Sequence, residues 1–140
     1  MNWLFKEEPA SYSYEAFARD GRTVWAGVRN PLAQKHLRGV KKGDRILYYH
    51  TGNQRAVVGV ALAAGDAYPD PKDKTGKAVV VDIVPGRPLA RPVTLAEIKA
   101  SKAFASFLLT RLPRLSVMPV SDAEWREIEN LAGKSALPRT

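Results

Sequence analysis

The chain has 140 residues and a formal net charge of +8, which fits a single basic domain of ordinary size. It contains no cysteine, so disulfides, thiolate metal sites and cysteine nucleophiles are excluded. Its longest apolar run covers nine residues, 56–64, whereas a membrane-spanning helix needs about 20. Because the opening residues are charged and unlike a secretion signal, we expect a cytoplasmic location.

The N-terminal half is predicted to contain two helices and three strands. Each helix starts at a residue whose side chain can accept hydrogen bonds from the unpaired amides of the first turn. Glycine follows the end of each helix. Alternating apolar and β-branched residues mark the strands, and the last two form a hairpin. The elements are a strand over Asn2–Lys6, a helix from the Ser13 cap through Arg19, a helix from Asn30-Pro31 to Arg38, and strands over Arg45–His50 and Ala56–Ala64.

The C-terminal half begins with a long loop, 65–76, that is rich in Asp, Pro and Lys. Two capping boxes, Thr94 with Glu97 and Ser121 with Glu124, predict helix starts. The predicted elements are a strand over Ala78–Val84 that Pro85-Gly86 stops, a helix from about Leu95, one or two helical turns within Ala103–Leu109, an edge strand over Leu115–Val120 and a helix over Asp122–Ala132. We expect residues 134–140 to be frayed.

Strands and helices are mixed without the regular alternation of a parallel sheet, and the sequence shows no internal repeat. The predicted fold class is therefore α+β, a small curled β-barrel with helices packed around it. Residues 1–133 are expected to form one domain, and the protein is expected to be a monomer.

Positive charge is concentrated in two stretches without acidic residues, 21–43 and 98–121. Such stretches favour a polyanionic partner such as nucleic acid. A solvated basic surface that only confers solubility is the alternative interpretation. The cations concerned are Arg22, Arg29, Lys35, Arg38, Lys41 and Lys42 in the first stretch, and Lys99, Lys102, Arg111 and Arg114 in the second.

Motifs that carry chemistry are scarce. The two histidines, His36 and His50, have no partners at zinc-binding spacing, and the sequence has neither a phosphate-binding loop nor a nucleophile elbow. Glu7 and Glu8 would face opposite sides of a strand, which makes them a poor pair for acid–base catalysis. We therefore expect a protein that is not an enzyme and that binds neither a metal nor a cofactor.

Trp25 begins the most informative aromatic segment. It is followed by Gly27, where backbone can approach a ligand closely, by Arg29, and by Asn30 at a predicted helix start. An indole, a cation and a helix N-terminus could together bind a base. A core tryptophan that anchors a loop is the alternative, and the residues alone leave both open.

Six ordered segments together resemble the EVE domain family of the PUA-like superfamily. The resemblance covers residues 2–131, and the fixed order of six motifs makes it specific. The segments are Trp3–Pro9, Trp25–Asn30, Tyr48–Thr51, Val57–Ala61, Ala67–Pro71 and Arg114–Val120.

The resemblance implies a PUA-like curled β-barrel and a pocket for one modified nucleobase, with modified cytosine in DNA, such as 5-methylcytosine, favoured. The implied pocket residues are Trp25 as the aromatic wall, Gly27 and Val28 as backbone at the base edge, Asn30, His50 and Thr51 as polar contacts, and Tyr68, Leu115, Ser116 and Val117 as the closing residues. The expected phosphate contacts are Lys6, Arg29, Lys35, Arg38 and Arg114.

One departure from the family pattern affects the predicted pocket. The family usually reads x-Gln-Ala-Arg after the asparagine, whereas this chain reads Pro31-Leu32-Ala33-Gln34. Leu32 and Gln34 therefore stand where relatives have Gln and Arg, and any ligand contact made there in relatives does not carry over.

The expected function is that of a non-catalytic module that holds a flipped-out modified base. An RNA-binding module for modified or structured RNA, and a small hydrolase or glycosylase that acts on modified bases through His50 or an acid, are the alternatives. A nuclease or modification enzyme encoded elsewhere would be a suitable partner. If Trp25 is the pocket wall, Trp25→Ala should abolish binding and leave the thermal melt largely intact.

Overall fold

The computed structural model describes residues 1–133, to which all the elements below belong. The strands are β1 (Asn2–Glu7), β2 (Thr23–Trp25), β3 (Arg45–His50), β4 (Ala56–Ala63), β5 (Tyr68–Pro69), β6 (Val79–Thr94) and β7 (Val117–Val120). The helices are α1 (Pro9–Tyr12), α2 (Tyr14–Asp20), α3 (Pro31–Arg38), α4 (Leu95–Ala100), α5 (Leu108–Arg111) and α6 (Asp122–Gly133), with a 3-10 turn over Lys102–Phe104.

The strands form one mixed sheet in the order β2-β6-β4-β3-β1-β7, and β5 pairs with β6. Strands β1 and β3 are parallel, and their antiparallel neighbours include β4 next to β3 and β7 next to β1. The sheet curls strongly, because Trp25 on the edge strand β2 contacts rings from the distant strands β1 and β3. Its ring centroid lies 5.4 Å from that of Phe5 and 5.4 Å from that of Tyr48. The inside of this half-barrel is therefore an aromatic core.

Helix α3 helps to close the half-barrel, since it packs against both β6 and β7. These two strands lie near opposite ends of the strand order. A curled sheet with helices packed around it confirms the predicted α+β fold class.

Side-chain caps confirm the predicted helix starts. Ser13 accepts a hydrogen bond from the Ala16 amide, and both capping boxes form, at Thr94 with Glu97 and at Ser121 with Glu124. Each cap satisfies amide hydrogens that have no partner within the first helical turn. The hairpin of β3 and β4 is also confirmed.

The predicted end of the third strand at Pro85-Gly86 is wrong, because β6 continues to Thr94. Proline has no amide hydrogen and is tolerated in a sheet at an uncovered edge or a bulge. Here the register between β4 and β6 shifts on both sides of Gly59, which pairs with Pro88. Gly86 permits a close approach, since a Cβ at that position would lie 3.0 Å from the carbonyl oxygen of Val60.

Several short elements depart from the sequence prediction. Strands β2 and β5 and helix α1 lie in segments that had no predicted element, and the last strand begins at Val117 instead of Leu115. That strand pairs with β1 at one end of the sheet, which confirms the edge position expected from Pro119. Within residues 1–133, every helix is too short or too polar to cross a bilayer. The predicted tail, 134–140, lies outside the described residues.

Candidate functional site

A cavity of about 680 Å³ opens between the segment after β2, helix α3 and the loop before β6. Its volume is in the range of small-ligand sites, roughly 300–1,000 Å³. The wall combines apolar surface with charged groups, and its residues are Gly27, Val28, Arg29, Pro31, Gln34, Arg38, Asp70, Lys72, Asp73, Thr75, Lys77, Ala78 and Val79.

Gln34 holds two walls of this cavity together. Its side-chain nitrogen donates to the carbonyl oxygens of Val28 at 2.6 Å and Val79 at 3.3 Å, and its side-chain oxygen accepts from the Val79 amide at 2.9 Å. Gln34 is only 6% exposed, so these bonds satisfy a buried polar group. The residue that departs from the family pattern therefore braces α3, the start of β6 and the segment after β2.

The backbone turns sharply where it enters the cavity wall. Gly27 has a φ of +78°, a conformation that residues with a side chain rarely adopt. Asn30 then caps α3 by accepting from the Ala33 amide at 3.0 Å. Gly27, Val28 and Arg29 all line the cavity, so the structure brings these three predicted site residues together.

The loop opposite α3 is organised around Asp73. Its carboxylate accepts hydrogen bonds from the backbone amides of Thr75 at 3.0 Å, Lys77 at 3.1 Å and Ala78 at 2.7 Å, and from the Thr75 hydroxyl at 2.8 Å. These bonds lower the pKa of Asp73 to about 2. Arg38 of α3 donates to the Lys77 carbonyl oxygen at 2.7 Å, which fixes the loop against the helix.

The cavity wall carries an excess of positive charge. Four cationic side chains line it, against two carboxylates, those of Asp70 and Asp73. Both carboxylates accept backbone amides, Asp70 from Lys72 at 2.9 Å. The cations are Arg29, Arg38, Lys72 and Lys77.

Trp25 is not in the wall of this cavity. Its side chain is 5% exposed and belongs to the hydrophobic core, where it packs against Phe5 and Tyr48. The cavity opens two residues later, at Gly27. The burial of the indole favours the alternative of a core tryptophan over the predicted aromatic-wall role. Removing an enclosed ring leaves a void, so we no longer expect Trp25→Ala to spare the thermal melt.

His50 and Thr51, the predicted polar contacts at the end of β3, bond within the protein. The Tyr14 amide donates to Nε2 of His50 at 3.0 Å, and Nδ1 of His50 lies 2.7 Å from the side-chain oxygen of Gln54. Because Nε2 accepts, the proton sits on Nδ1, and both ring nitrogens are engaged. The Thr51 hydroxyl donates to Glu8 at 3.3 Å. These contacts favour structural roles and do not place either residue in the cavity wall.

Tyr68 also lies outside the cavity wall, although Asp70 two residues later is part of it. The Tyr68 hydroxyl donates to Asp82, which also forms an ion pair with Arg22 at 2.8 Å. The Tyr68 hydrogen bond and the Arg22 charge lower the pKa of Asp82, and the bond to Asp82 raises the pKa of Tyr68. This hydrogen bond joins β5 to β6, and the closing role of Tyr68 stays a prediction.

The closing segment predicted at 115–117 lies beside β1. Leu115 and Val117 are buried in the core, and Val117 pairs with Phe5. The Ser116 carbonyl oxygen accepts from the Lys6 amide at 2.9 Å. These contacts stabilise the sheet edge, and the three residues do not line the cavity.

Two of the five predicted phosphate contacts lie in the cavity wall. Arg29 and Arg38 line the cavity, whereas Lys35 and Arg114 are exposed outside its wall. The Lys6 ammonium group donates to the Pro113 carbonyl oxygen at 2.8 Å, and burial lowers the pKa of Lys6. The Lys6 side chain is therefore engaged in a hydrogen bond within the protein.

Sequence reasoning identified Gly27, Val28, Arg29 and Arg38 of the cavity wall and missed several other residues that build it. Gln34 could have been noticed as an amide on the inward face of α3, which it shares with Ala33 and Leu37. Asp73 could have been noticed because an aspartate two residues before a threonine favours a turn in which the carboxylate accepts backbone amides. The loop cations Lys72 and Lys77 had no distinguishing local pattern.

Comparison with known proteins gives consistent matches over nearly the whole chain. The NMR structure of Rpa0253 from Rhodopseudomonas palustris superposes with a TM-score of 0.90 at 41% identity, covering 94% of this chain and 92% of that one. The crystal structure of human THYN1 protein in complex with 5-methylcytosine containing DNA superposes with a TM-score of 0.86 at 28% identity, covering 96% and 98%.

Sequence comparison agrees with the structural matches. Thymocyte nuclear protein 1 from Rattus norvegicus is 31% identical, and the match covers 92% of this chain and 72% of that protein. A family model described as "EVE domain" matches residues 1–131. The half-barrel with its surrounding helices is thus the PUA-like arrangement expected from the sequence, and the chain belongs to the EVE domain family.

Proposed function

We propose that this EVE domain binds nucleic acid and holds one flipped-out modified base, with 5-methylcytosine in DNA the favoured ligand. The observation that carries the proposal is the close structural match to human THYN1 protein solved with 5-methylcytosine containing DNA. The base would enter the cavity beside Gly27 and Val28, which line its wall.

The chemistry of the cavity supports this placement. Val28, Ala78 and Val79 offer apolar surface to a base and its methyl group, while the cations at the wall suit phosphate groups. Flipping a base out of a duplex costs a few kcal/mol in lost pairing and stacking. Phosphate contacts must offset much of that cost, because the indole of Trp25 is enclosed in the core.

The test is binding of the whole chain to labelled oligonucleotides by fluorescence anisotropy. Strands of one sequence would carry either cytosine or a single 5-methylcytosine, as single-stranded DNA, duplex DNA and RNA. One methyl group in an apolar site is worth about 10- to 200-fold in affinity, so we expect a preference of that order for methylated DNA. Equal affinity for the two DNA strands would contradict a methyl reader, and tighter binding to RNA would favour the RNA-binding alternative.

A matched pair of glycine variants locates the site. Gly27→Ala and Gly43→Ala both place a side chain at positive φ, +78° and +87°, and in both cases the Cβ meets open space. Each should cost a similar 1–2 kcal/mol of stability. Only Gly27→Ala should weaken DNA binding, because only Gly27 lines the cavity. Equal loss of binding in both variants would place the base elsewhere.

We further propose that binding proceeds without turnover. Asp73 has a pKa near 2, far below neutrality, which makes it a poor general acid or base. The ring nitrogens of His50 are engaged by Tyr14 and Gln54. Mass spectrometry of methylated DNA after prolonged incubation should recover the input strand, and a released base or altered nucleoside would instead favour a glycosylase or hydrolase.

A further inference from the structure

We propose that the loop 70–78 is a second phosphate-binding wall, which lies against Arg38 of α3 at the cavity and contacts the sugar–phosphate backbone next to the bound base. This inference rests on the proposed function. The residues assigned to the backbone phosphates are Lys72 and Lys77, in addition to Arg29 on the segment after β2 and Arg38 on α3.

The first argument is the charge balance at the cavity. The ion pairs found within residues 1–133 join Met1 to Asp44, Arg22 to Asp82, Arg87 to Glu129 and Arg91 to Glu97, so none of them uses a cavity cation. The carboxylates of the loop, Asp70 and Asp73, are occupied by backbone amides of the loop itself. The four cavity cations therefore form no ion pair within residues 1–133, and their charge is available to an anionic ligand.

The second argument is that the loop is held in one shape. Four hydrogen bonds to the Asp73 carboxylate close it from Thr75 to Ala78, and Arg38 fixes the Lys77 carbonyl oxygen. The side chains of Lys72 and Lys77 take no part in these bonds, which use only their backbone groups. Because the loop backbone is already fixed, its two lysine side chains can reach phosphates, and binding does not have to order the loop.

The third argument is the position of the two walls. Gln34 bonds to Val28 on one side and to Val79 on the other, so the segment with Arg29 and the end of the loop are held at a set separation. A base between them would have the phosphates of its own strand within reach of cations on both sides. Lys is well suited here, since it binds phosphate as a point charge without a demand for one orientation.

The experiment compares the salt dependence of DNA binding in two double variants. Lys72→Gln/Lys77→Gln removes two charges at the cavity, and Arg19→Gln/Arg126→Gln removes two exposed charges on α2 and α6, outside the cavity wall and outside both basic stretches. Affinity for a single-stranded methylated oligonucleotide would be measured from 50 to 300 mM salt, and thermal melts would establish that the variants fold.

We expect the magnitude of the slope of log affinity against log salt to fall by about 0.7 for each lost contact, hence by about 1.4 in the loop variant. Affinity for methylated and unmethylated strands should fall by the same factor, because phosphates carry no base identity. The control variant should keep the wild-type slope. Equal slopes in wild type and loop variant, or equal changes in both double variants, would overturn the phosphate assignment while leaving the base-binding proposal intact. Absence of binding by the wild-type chain would overturn both.

Discussion

The side chain of Gln34 joins three separate parts of the protein at one point. Its amide pairs with both the N–H and the carbonyl group of Val79, as a neighbouring strand would, and also with the carbonyl group of Val28. A leucine there would leave buried backbone groups unsatisfied, at a cost of about 1–3 kcal/mol each. One buried amide thus fixes the relative position of the helix and the backbone that line the cavity.

At the same scale, Trp25 provides a direct test of a core role. Trp25→Ala should lower the free energy of unfolding by about 3–5 kcal/mol, because the indole is enclosed by Phe5 and Tyr48. Urea denaturation followed by circular dichroism measures the change, and Trp25→Phe should recover much of it. A stable Trp25→Ala protein that no longer binds DNA would restore the aromatic-wall role.

Among the elements, the loop 70–78 and helix α3 depend on each other. Arg38 donates to the loop, and Gln34 bonds to the residue that follows it. The helix begins at Pro31 behind an Asn30 cap, so its first residue is set by local sequence. The loop has its shape from Asp73, and its position comes from the helix.

The same loop should respond to acid in a defined pH window. The folded pKa of Asp73, about 2, lies below the ordinary value of 3.8. The carboxylate bonds therefore stabilise the loop fully above about pH 4, and this contribution is lost as the pH falls through 2. The amide resonance of Ala78, observed by NMR, should shift with a midpoint near 2. Asp73→Asn should abolish that titration, and a wild-type midpoint near 4 would contradict the bonding described.

Over the whole molecule, the first strand lies beside the last strand of the sheet and contacts the start of the last helix. Strand β1 lies between β3 and β7, and Asn2 donates to Asp122 at the start of α6 at 2.9 Å. The N-terminal amino group and the Trp3 indole both donate to Asp44 at the turn before β3, at 3.0 and 2.9 Å. The first strand therefore links the β3 hairpin to the C-terminal strand and helix.

Unfolding should consequently be a single cooperative transition. The three tryptophans report on different regions, Trp3 on β1, Trp25 on β2 and Trp125 on α6, and all belong to one core. We expect tryptophan fluorescence and far-ultraviolet circular dichroism to give coincident curves in urea, as a two-state domain requires. Separate midpoints would show that α6 or β2 detaches before the sheet unfolds.

The sequence by itself determined the fold class and most elements with local signals. Helix starts at Ser13, Asn30 and Thr94 were predictable because a cap and its amide partners lie within three residues of each other. The strands Arg45–His50 and Ala56–Ala63 were predictable from apolar and β-branched residues. The ordered motifs identified the family, which the family model and the relatives confirm.

Only the tertiary structure decided which residues form the cavity. The bonds of Gln34 to Val79 span 45 positions, and nothing in the local pattern of either residue indicates the other. Other long-range contacts enclose the Trp25 indole against Phe5 and Tyr48, and pairing with β4, with its register shifts, continues β6 past Pro85-Gly86. Burial and sheet register are properties of the assembled chain, and a sequence pattern fixes only the preference of a segment before its neighbours are known.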